Sequence, residues 1–457
     1  MKKAERKLNP RKQTLKAIHP NAAGIDIGSK THYAAVPEDR CEQPVRHFGC
    51  LTPDLHELAK WLKSCGMTTV AMEATGVYWI PVARILEEYG LEVLLVDARN
   101  VRSVPGRKSD VFDCQWLQEL HSYGLLRGAF RPAQEMEPLR TYWRHRACLV
   151  EQCASEIHRM QKALEQMNLQ LHKVISDISG VTGFKIIRAI VAGERDPRKL
   201  AQMRQAGVKN SEETIAKALT GHYREDHLFT LQQALETYDF LQKQICECDL
   251  RIETAMKRLE TRLQPSAPSA SSPPKKTFRR KNQPYFDLRL ELYRMLGVDL
   301  TRIDGIDALT AQTIITEQGY DMGKFPTEKH FTSHLGLCPN NRITGGKVKR
   351  RRSRRVQSRA ACALRVAAQS LHHNKSALGA YFRRMKARLG PAKAITATAR
   401  KLAVLVYRLL KYGEDYVDQG QELYETRYQL QRQRILAKQA ETMGFKLIPL
   451  SADGGVS

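Results

Sequence analysis

Between Val150 and Ile178 the apolar residues fall at Val150, Cys153, Ile157, Met160, Leu164, Met167, Leu171, Val174 and Ile178, in steps that alternate strictly between three and four. Four heptads in a row leave little choice but a long helix packed along one seam. A second seam runs Leu231, Leu235, Tyr238, Leu241, Ile245, Cys248, Ile252, Ala255 and Leu259, with one stammer between Tyr238 and Leu241. Residues 136–263 are therefore expected to form a helical coiled-coil middle. Its two helices either pack antiparallel as a long arm or pair with another chain.

Upstream the periodicity changes. Ala22 to Val36 (AAGIDIGSKTHYAAV) and Pro44 to Cys50 read as the two strands of a hairpin around a turn at Pro37-Glu38-Asp39. Asp54 to Lys63 and Tyr78 to Tyr89 carry helical spacing, while Thr68 to Thr75 (TTVAMEAT) and Leu91 to Ala98 (LEVLLVDA) read as buried strands. Strands alternating with helices predict an α/β layer with a largely parallel sheet over residues 21–135.

That layer holds acids in awkward places. Asp26 and Glu73 lie within buried strands, where a carboxylate is expensive unless it is paired or binds a metal. Asp110 and Asp113 stand three apart at the start of an amphipathic pattern in KSDVFDCQWLQE, so they share one helix face, with Ser109 as the candidate N-cap. Two acids on a first helical turn are ordinary by themselves, because they offset the helix dipole. Joined to Asp26 and Glu73 they make four hard-oxygen donors, enough for two divalent cations flanking a phosphodiester. Mg²⁺ suits such a set, with Mn²⁺ as an alternative.

The chain of 457 residues carries 74 Lys and Arg against 48 Asp and Glu, a net charge of +26 that attracts phosphate backbones. The apolar runs are too short for a spanning helix, since even Leu402 to Leu410 contains Arg408. Residues 1–20 have no apolar core of a signal peptide and read as a basic arm for nucleic acid. Ten cysteines without a CxxC pair suggest reduced thiols in a cytoplasm rather than zinc.

Residues 264–285 hold five prolines, four serines and five Lys or Arg, a composition expected of a flexible cationic linker. Beyond it, residues 286–430 form the last expected domain, mainly α, followed by a tail at 431–457. Within it Leu300 to Gln318 looks like a helix-hairpin-helix element with Asp307 where a second glycine is usual. A loop punctuated by Gly336, Pro339, Gly345 and Gly346 then leads into a helix from Ser358 to Leu371. It carries Arg342, Lys347, Lys349, Arg350, Arg351, Arg352, Arg354, Arg355 and Arg359 with no acid, which favours a track for phosphates. Thr344, beside the Gly-Gly pair, offers a hydroxyl among cations that can attack phosphorus, and Ser353 is the alternative nucleophile.

The segments GIDIGSKTH around Asp26, MEATGVYW around Glu73 and RKSDVFDCQWL around Asp110 and Asp113 resemble the DEDD transposases of the bacterial insertion sequences numbered one-ten. ITGGK resembles the eleven-eleven subgroup, and GLCPNNRITG puts Thr344 where that family's GLxPxxxxSG motif carries a catalytic serine. The resemblance implies a RuvC-like, ribonuclease-H-type first domain in which the four acids are catalytic and metal-binding. It also implies an RNA-guided DNA recombinase that pairs donor and target DNA through a structured non-coding RNA, works as a homo-oligomer, dimer or tetramer, and acts on the nucleoid in a bacterial cytoplasm. Two rivals stay open from the residues alone. One is a metal-dependent junction nuclease that uses water, and the other is a non-catalytic nucleic-acid-binding protein.

Overall fold

The computed structural model describes residues 16–74, 76–96, 109–262, 282–345, 347–353, 358–413 and 420–448. The chain forms two compact units that meet in sequence between Arg131 and Pro132.

The first unit is built on five strands: β1 (Ala22–Ile27), β2 (Thr31–Ala35), β3 (Val45–Gly49), β4 (Thr69–Glu73) and β5 (Glu92–Val96). Their order is β3-β2-β1-β4-β5, with β1, β4 and β5 parallel and β2 and β3 antiparallel. The sheet is thus mixed rather than largely parallel. What reads as one strand from Ala22 to Val36 is two, folded back at Gly28-Ser29-Lys30. There the Gly28 amide donates to the Thr31 carbonyl at 3.1 Å, and a Cβ on Gly28 would lie 2.4 Å from that oxygen.

Alternation along the strands divides the sheet into two faces. Ala23, Ile25, Val70 and Met72 enter a core with Leu55, Leu58 and Leu62 of α1 (Thr52–Ser64) and Val82 and Leu86 of α2 (Trp79–Glu88). The opposite face of β1 and β4 presents Ala22, Gly24 and Asp26, then Thr69, Ala71 and Glu73. These residues are small except at the strand ends. That lets α3 (Asp110–Ser122) come close: a Cβ on Gly24 would fall 2.3 Å from the Gln118 amide nitrogen and 2.4 Å from the Cys114 carbonyl oxygen.

The second unit contains the two seams. Helix α4 (Glu137–Gln166) precedes the short helices α5 (Leu171–Val174), α6 (Val181–Val191), α7 (Pro197–Gln202) and α8 (Glu212–Ala218), and α9 (Glu225–Arg258) follows. Helices α4 and α9 pack antiparallel within the chain: the Cys248 thiol donates to the Tyr142 carbonyl at 3.2 Å, and Gln242 Nε2 donates to Cys153 Sγ at 3.3 Å. Arg146 and Asp249 pair across them, Asp249 only 1 % exposed, and the Tyr285 amide also donates to Asp249.

The first seam does not continue as one helix to Ile178. Asn168 takes a left-handed φ of 57°, the Asn168 amide donates to Glu165 O and the Leu169 amide to Leu164 O, a Schellman close that ends α4 at Gln166. Met167, Leu171, Val174 and Ile178 are buried all the same, in a cluster with Ile186, Ile190, Leu231 and Leu235. Periodic burial here outlasts the helix.

The remaining helices are α10 (Leu288–Leu296), α11 (Ala308–Gln318), α12 (Glu328–His334), α13 (Arg359–Ser370), α14 (Ala377–Leu389), α15 (Pro391–Tyr412) and α16 (Gln421–Thr442). Before α11 the turn holds Gly305 at φ 86°, where a Cβ would lie 2.9 Å from Ala367 O. Asp307 caps α11, its carboxylate accepting from the Thr310 amide at 2.9 Å. The aspartate that replaces a glycine thus puts its own anion at the helix start, and the turn packs on α13. Strands β6 (Pro339–Thr344) and β7 (Lys347–Ser353) form an antiparallel hairpin, so the expected loop is ordered. Gly345, at φ 56°, supplies the positive backbone angle such a turn needs. Among the described residues no helix is long and apolar enough to cross a membrane.

Two substitutions test this packing. Gly24→Ala is expected to push α3 away from β1 and destabilise the first unit by about 1–3 kcal/mol, read as a lower unfolding midpoint in denaturant. Glu317 on α11 is 6 % exposed and takes two hydrogen bonds from Arg144 (2.8 and 2.6 Å) and an ion pair with Arg140 at 3.3 Å. Burial alone would raise its pKa, but Arg144, Arg140 and Arg359 outweigh burial and hold the carboxyl below its ordinary range. Because the folded value is depressed, this stabilisation is present above about pH 4.3 and lost as pH falls through the folded value. Glu317→Gln should therefore lower thermal stability at pH 7, and the gap from wild type should close in acid.

Candidate active site

Asp26 is the fifth residue of β1 and Glu73 the last of β4. The strands are parallel neighbours, with Ile25 opposite Met72, so both carboxylates emerge at the carboxyl end of the sheet on the face covered by α3. Ligands of open α/β sheets bind at that end. Asp110 and Asp113 occupy the first turn of α3, which starts at Ser109, whose hydroxyl accepts from the Phe112 amide at 3.4 Å.

Two contacts fix how α3 lies. At its far end His121 Nε2 and Thr69 Oγ1 are 2.9 Å apart, and Gln118 Nε2 donates to Ala22 O at 3.4 Å. Burial, helped by His19, pushes the His121 pKa down to about 4, so the ring is a neutral hydrogen-bonding strut. With Gln118 and Cys114 over Gly24, the start of α3 comes to Asp26. Cys114 and Leu117 face the sheet, whereas Val111 and Phe112 are exposed.

The electrostatics follow from that placement. The Asp26 carboxyl is raised to about 6 by burial first, then by the charges of Asp110, Asp113 and Glu73, with the Ile27 amide pulling the other way. Asp26 is thus brought within electrostatic reach of the other three acids, Glu73, Asp110 and Asp113. Cys114, beside them, is pushed up to about 12 by burial and by Asp26, and its thiol donates to Val111 O. Without a metal the thiol stays protonated at neutral pH. Among the described residues no three His, Cys, Asp or Glu side chains converge as a ready-made ligand set. The donor set nevertheless fits a hard divalent cation, which would relieve the repulsion that lifts Asp26.

A groove of about 1230 Å³ runs along the outer side of α3, lined by Asp113, Phe112, Trp116, Tyr123, Pro37 and Arg40 among others. Nothing in the spacing of the acids points to it. Its signal was the aromatic stripe Phe112, Trp116 and Tyr123, which helical spacing assigns to a packing face.

The remaining candidates lie in the second unit. Thr344 ends β6, exposed, opposite Lys347. Ser353 ends β7 opposite Pro339, at the other end of the hairpin, and is half-buried. The hairpin brings the two hydroxyls no closer. Lys347 and Lys349 are exposed, and β7 also carries Arg350, Arg351 and Arg352, paired in register with Arg342, Asn341 and Asn340. Arg359 opens α13, exposed, and its charge also reaches Glu317. Arg354 and Arg355 lie outside the described residues, as do most of residues 1–20 and 264–285.

The raised Asp26 pKa has a stability consequence. A carboxyl raised in the fold contributes stability fully below its unfolded value near 3.9, and that contribution is lost as pH rises through about 6. In metal-free buffer Asp26→Asn should be more stable than wild type at pH 8, with the difference disappearing by about pH 4; thermal melts across pH measure it.

Two comparisons with known families fall on the two halves of this candidate machinery. Residues 23–169 match a family model described as a transposase, the DEDD transposase of the IS110 type, and this stretch holds Asp26, Glu73, Asp110 and Asp113. Residues 299–383 match the model of the transposase IS116/IS110/IS902 family, and this stretch holds α11, the basic hairpin and α13. No curated protein matches the chain. The two matches together span just over half of the sequence, carry the mixed α/β sheet at one end and the basic hairpin at the other, and make the chain a DNA transposase of the IS110 family.

Proposed function

We propose that this transposase is an RNA-guided DNA recombinase of the eleven-eleven subgroup, with a RuvC-like first unit whose four acids hold divalent cations and a threonine nucleophile in the second. The observation that carries this reading is the Asp26 carboxyl raised to about 6 among three other acids, a concentration of negative charge at the open end of a sheet. Asp26 and Glu73 would hold Mg²⁺ or Mn²⁺ from the strand ends, and Asp110 and Asp113 from the helix start. Bound there, the cation supplies positive charge to phosphate oxygens and favours ionisation of an attacking hydroxyl.

Thr344 sits exposed at a turn that bears Lys347 and Lys349 close by. Its Oγ1 attacks phosphorus, an O–P bond forms, the P–O bond to one side of the cut breaks, and the departing strand oxygen takes up a proton while the threonine loses one. Attack by the hydroxyl of another strand reverses the step, joins new ends and returns the threonine hydroxyl. The hairpin cations hold the phosphates on both sides. The subgroup resemblance at ITGGK supports a structured guide RNA as a partner beside donor and target DNA, and the net charge of +26 suits nucleic acid in general. The same reading makes the working form a homo-oligomer in a bacterial cytoplasm, on the nucleoid.

A nicked DNA substrate should trap a covalent adduct, lost by about 10³-fold or more in Thr344→Ala and kept in Ser353→Ala. Asp113→Asn should abolish it as well. Free ends without adduct in every active variant would instead establish hydrolysis by water, and unchanged transposition in Asp26→Asn and Asp113→Asn would leave a binding protein. Sequencing the RNA that co-purifies with the chain tests the guide: one discrete non-coding species is expected.

A further inference from the structure

The groove on the outer side of α3 is opposite in charge to the chain that carries it. Among the described residues that line it, Glu38, Asp39, Asp113 and Glu119 stand against Arg40. Arg40 is itself engaged, donating to Asn21 Oδ1 at 2.8 Å with the Asp39 carboxylate 3.6 Å away. On a chain with 74 Lys and Arg this is an acidic trough. It is also partly apolar: Phe112, Trp116 and Tyr123 follow one face of the helix, and Pro37 and Pro44 line the groove with them. A phosphate backbone is repelled by such a lining, whereas a cationic segment with a few apolar residues fits it.

The chain contains such a segment next to the groove. Residues 1–15, which lie outside the described residues, carry Lys2, Lys3, Arg6, Lys7, Arg11 and Lys12 against Glu5, with Leu8 and Leu15 among them. The segment leads straight into one end of the groove. The Ile18 and His19 amides both donate to Ser122 O, at 2.8 and 2.9 Å, the His19 ring stacks on His121 at 5.2 Å, and Ala17 lines the groove. From Ser122 back along α3 to Asp113 is about 14 Å, a distance that about five residues of chain can cover. Counted back from Ala17, that brings Lys12 and Arg11 within reach of Asp113.

We propose that the groove is the docking site of residues 1–15 of the same chain, a cationic strap that covers Asp113 until nucleic acid draws it off. The acids of the groove hold the strap's Lys and Arg side chains, and the aromatic face takes its leucines. Exposed ion pairs are individually weak, so the strap is held loosely and exchanges. Phosphates compete for the same cations, and a bound duplex therefore empties the groove and uncovers Asp113. The basic segment thus has two alternative partners, the acidic groove and nucleic acid. This goes beyond the proposed function, since docking depends on neither a metal, a guide RNA nor Thr344.

The test uses the full chain freed of nucleic acid, in metal-free buffer at low salt. A carbodiimide, which joins an amine to a carboxylate in contact with it, should link Lys7 or Lys12 to Glu38, Asp113 or Glu119, read by mass spectrometry of the digested chain. Links from these acids to Lys275, Lys276 or Lys281 in their place, or no link to any lysine of residues 1–15, overturn the assignment. In a mixture of unlabelled and ¹⁵N-labelled chains each linked pair should carry a single label, and mixed pairs overturn docking within one chain. Duplex DNA should abolish the links, and links that persist overturn the exchange with nucleic acid. Arg11→Glu with Lys12→Glu should speed maleimide modification of Gln115→Cys by about fivefold, and an unchanged rate overturns the strap.

Discussion

The contact on which the first unit depends is the approach of α3 to β1 at Gly24, backbone against backbone, with no room for even a methyl group. Everything at the candidate active site follows from it. The helix lies with its first turn toward the strand ends because Cys114 and Gln118 sit over Gly24 and His121 reaches Thr69. Asp110 and Asp113 thereby come close enough to Asp26 to raise its pKa. Four acids gathered this way repel one another, so the arrangement is held by the packing of α3 and not by the acids. Such stored repulsion is what a divalent cation relieves.

In the second unit the same role falls to ion pairs formed on two buried carboxylates, Asp249 and Glu317. Arg146 with Asp249 joins α4 to α9, and Arg140 and Arg144 with Glu317 join α4 to α11. Charges so buried stabilise little compared with apolar residues of the same shape, but losing one partner strands the other, so each pair specifies one packing. Trp143 Nε1, donating to Thr313 Oγ1 at 3.1 Å, adds to the specification at α11. The helix that follows the basic hairpin, α13, packs on α11, with Gly305 against Ala367. The hairpin has no apolar alternation to set its register; a Gly-containing turn starts it, and an irregularity between Arg342 and Ile343 shifts it by one residue.

Much of the architecture was legible because its causes are local. The strand and helix periods of the first unit, the N-cap at Ser109 and the apolar spacing of the two seams each follow from near neighbours, whereas the antiparallel pairing of the seams within the chain was left open by that spacing. The departures also have local causes that were easy to pass over. Gly28 splits one apparent strand into two, and Asn168 ends a helix whose apolar rhythm runs on to Ile178. The mixed sheet was not legible, because strand direction depends on which strands pair, and that is decided at long range.

The sequence by itself determined the chemical inventory: four acids in α/β context, an acid-free run of nine cations, hydroxyls at Thr344 and Ser353, and a charge of +26 suited to nucleic acid. It determined these because residue type and short spacing suffice to state them. Only the tertiary structure decided that Asp26 lies in the field of Glu73, Asp110 and Asp113, that Thr344 and Ser353 stand at opposite ends of a hairpin, and that Asp307 caps a helix. Proximity between residues as far apart in sequence as Asp26 and Asp113 arises from a steric allowance at Gly24. No periodicity in the chain records that allowance.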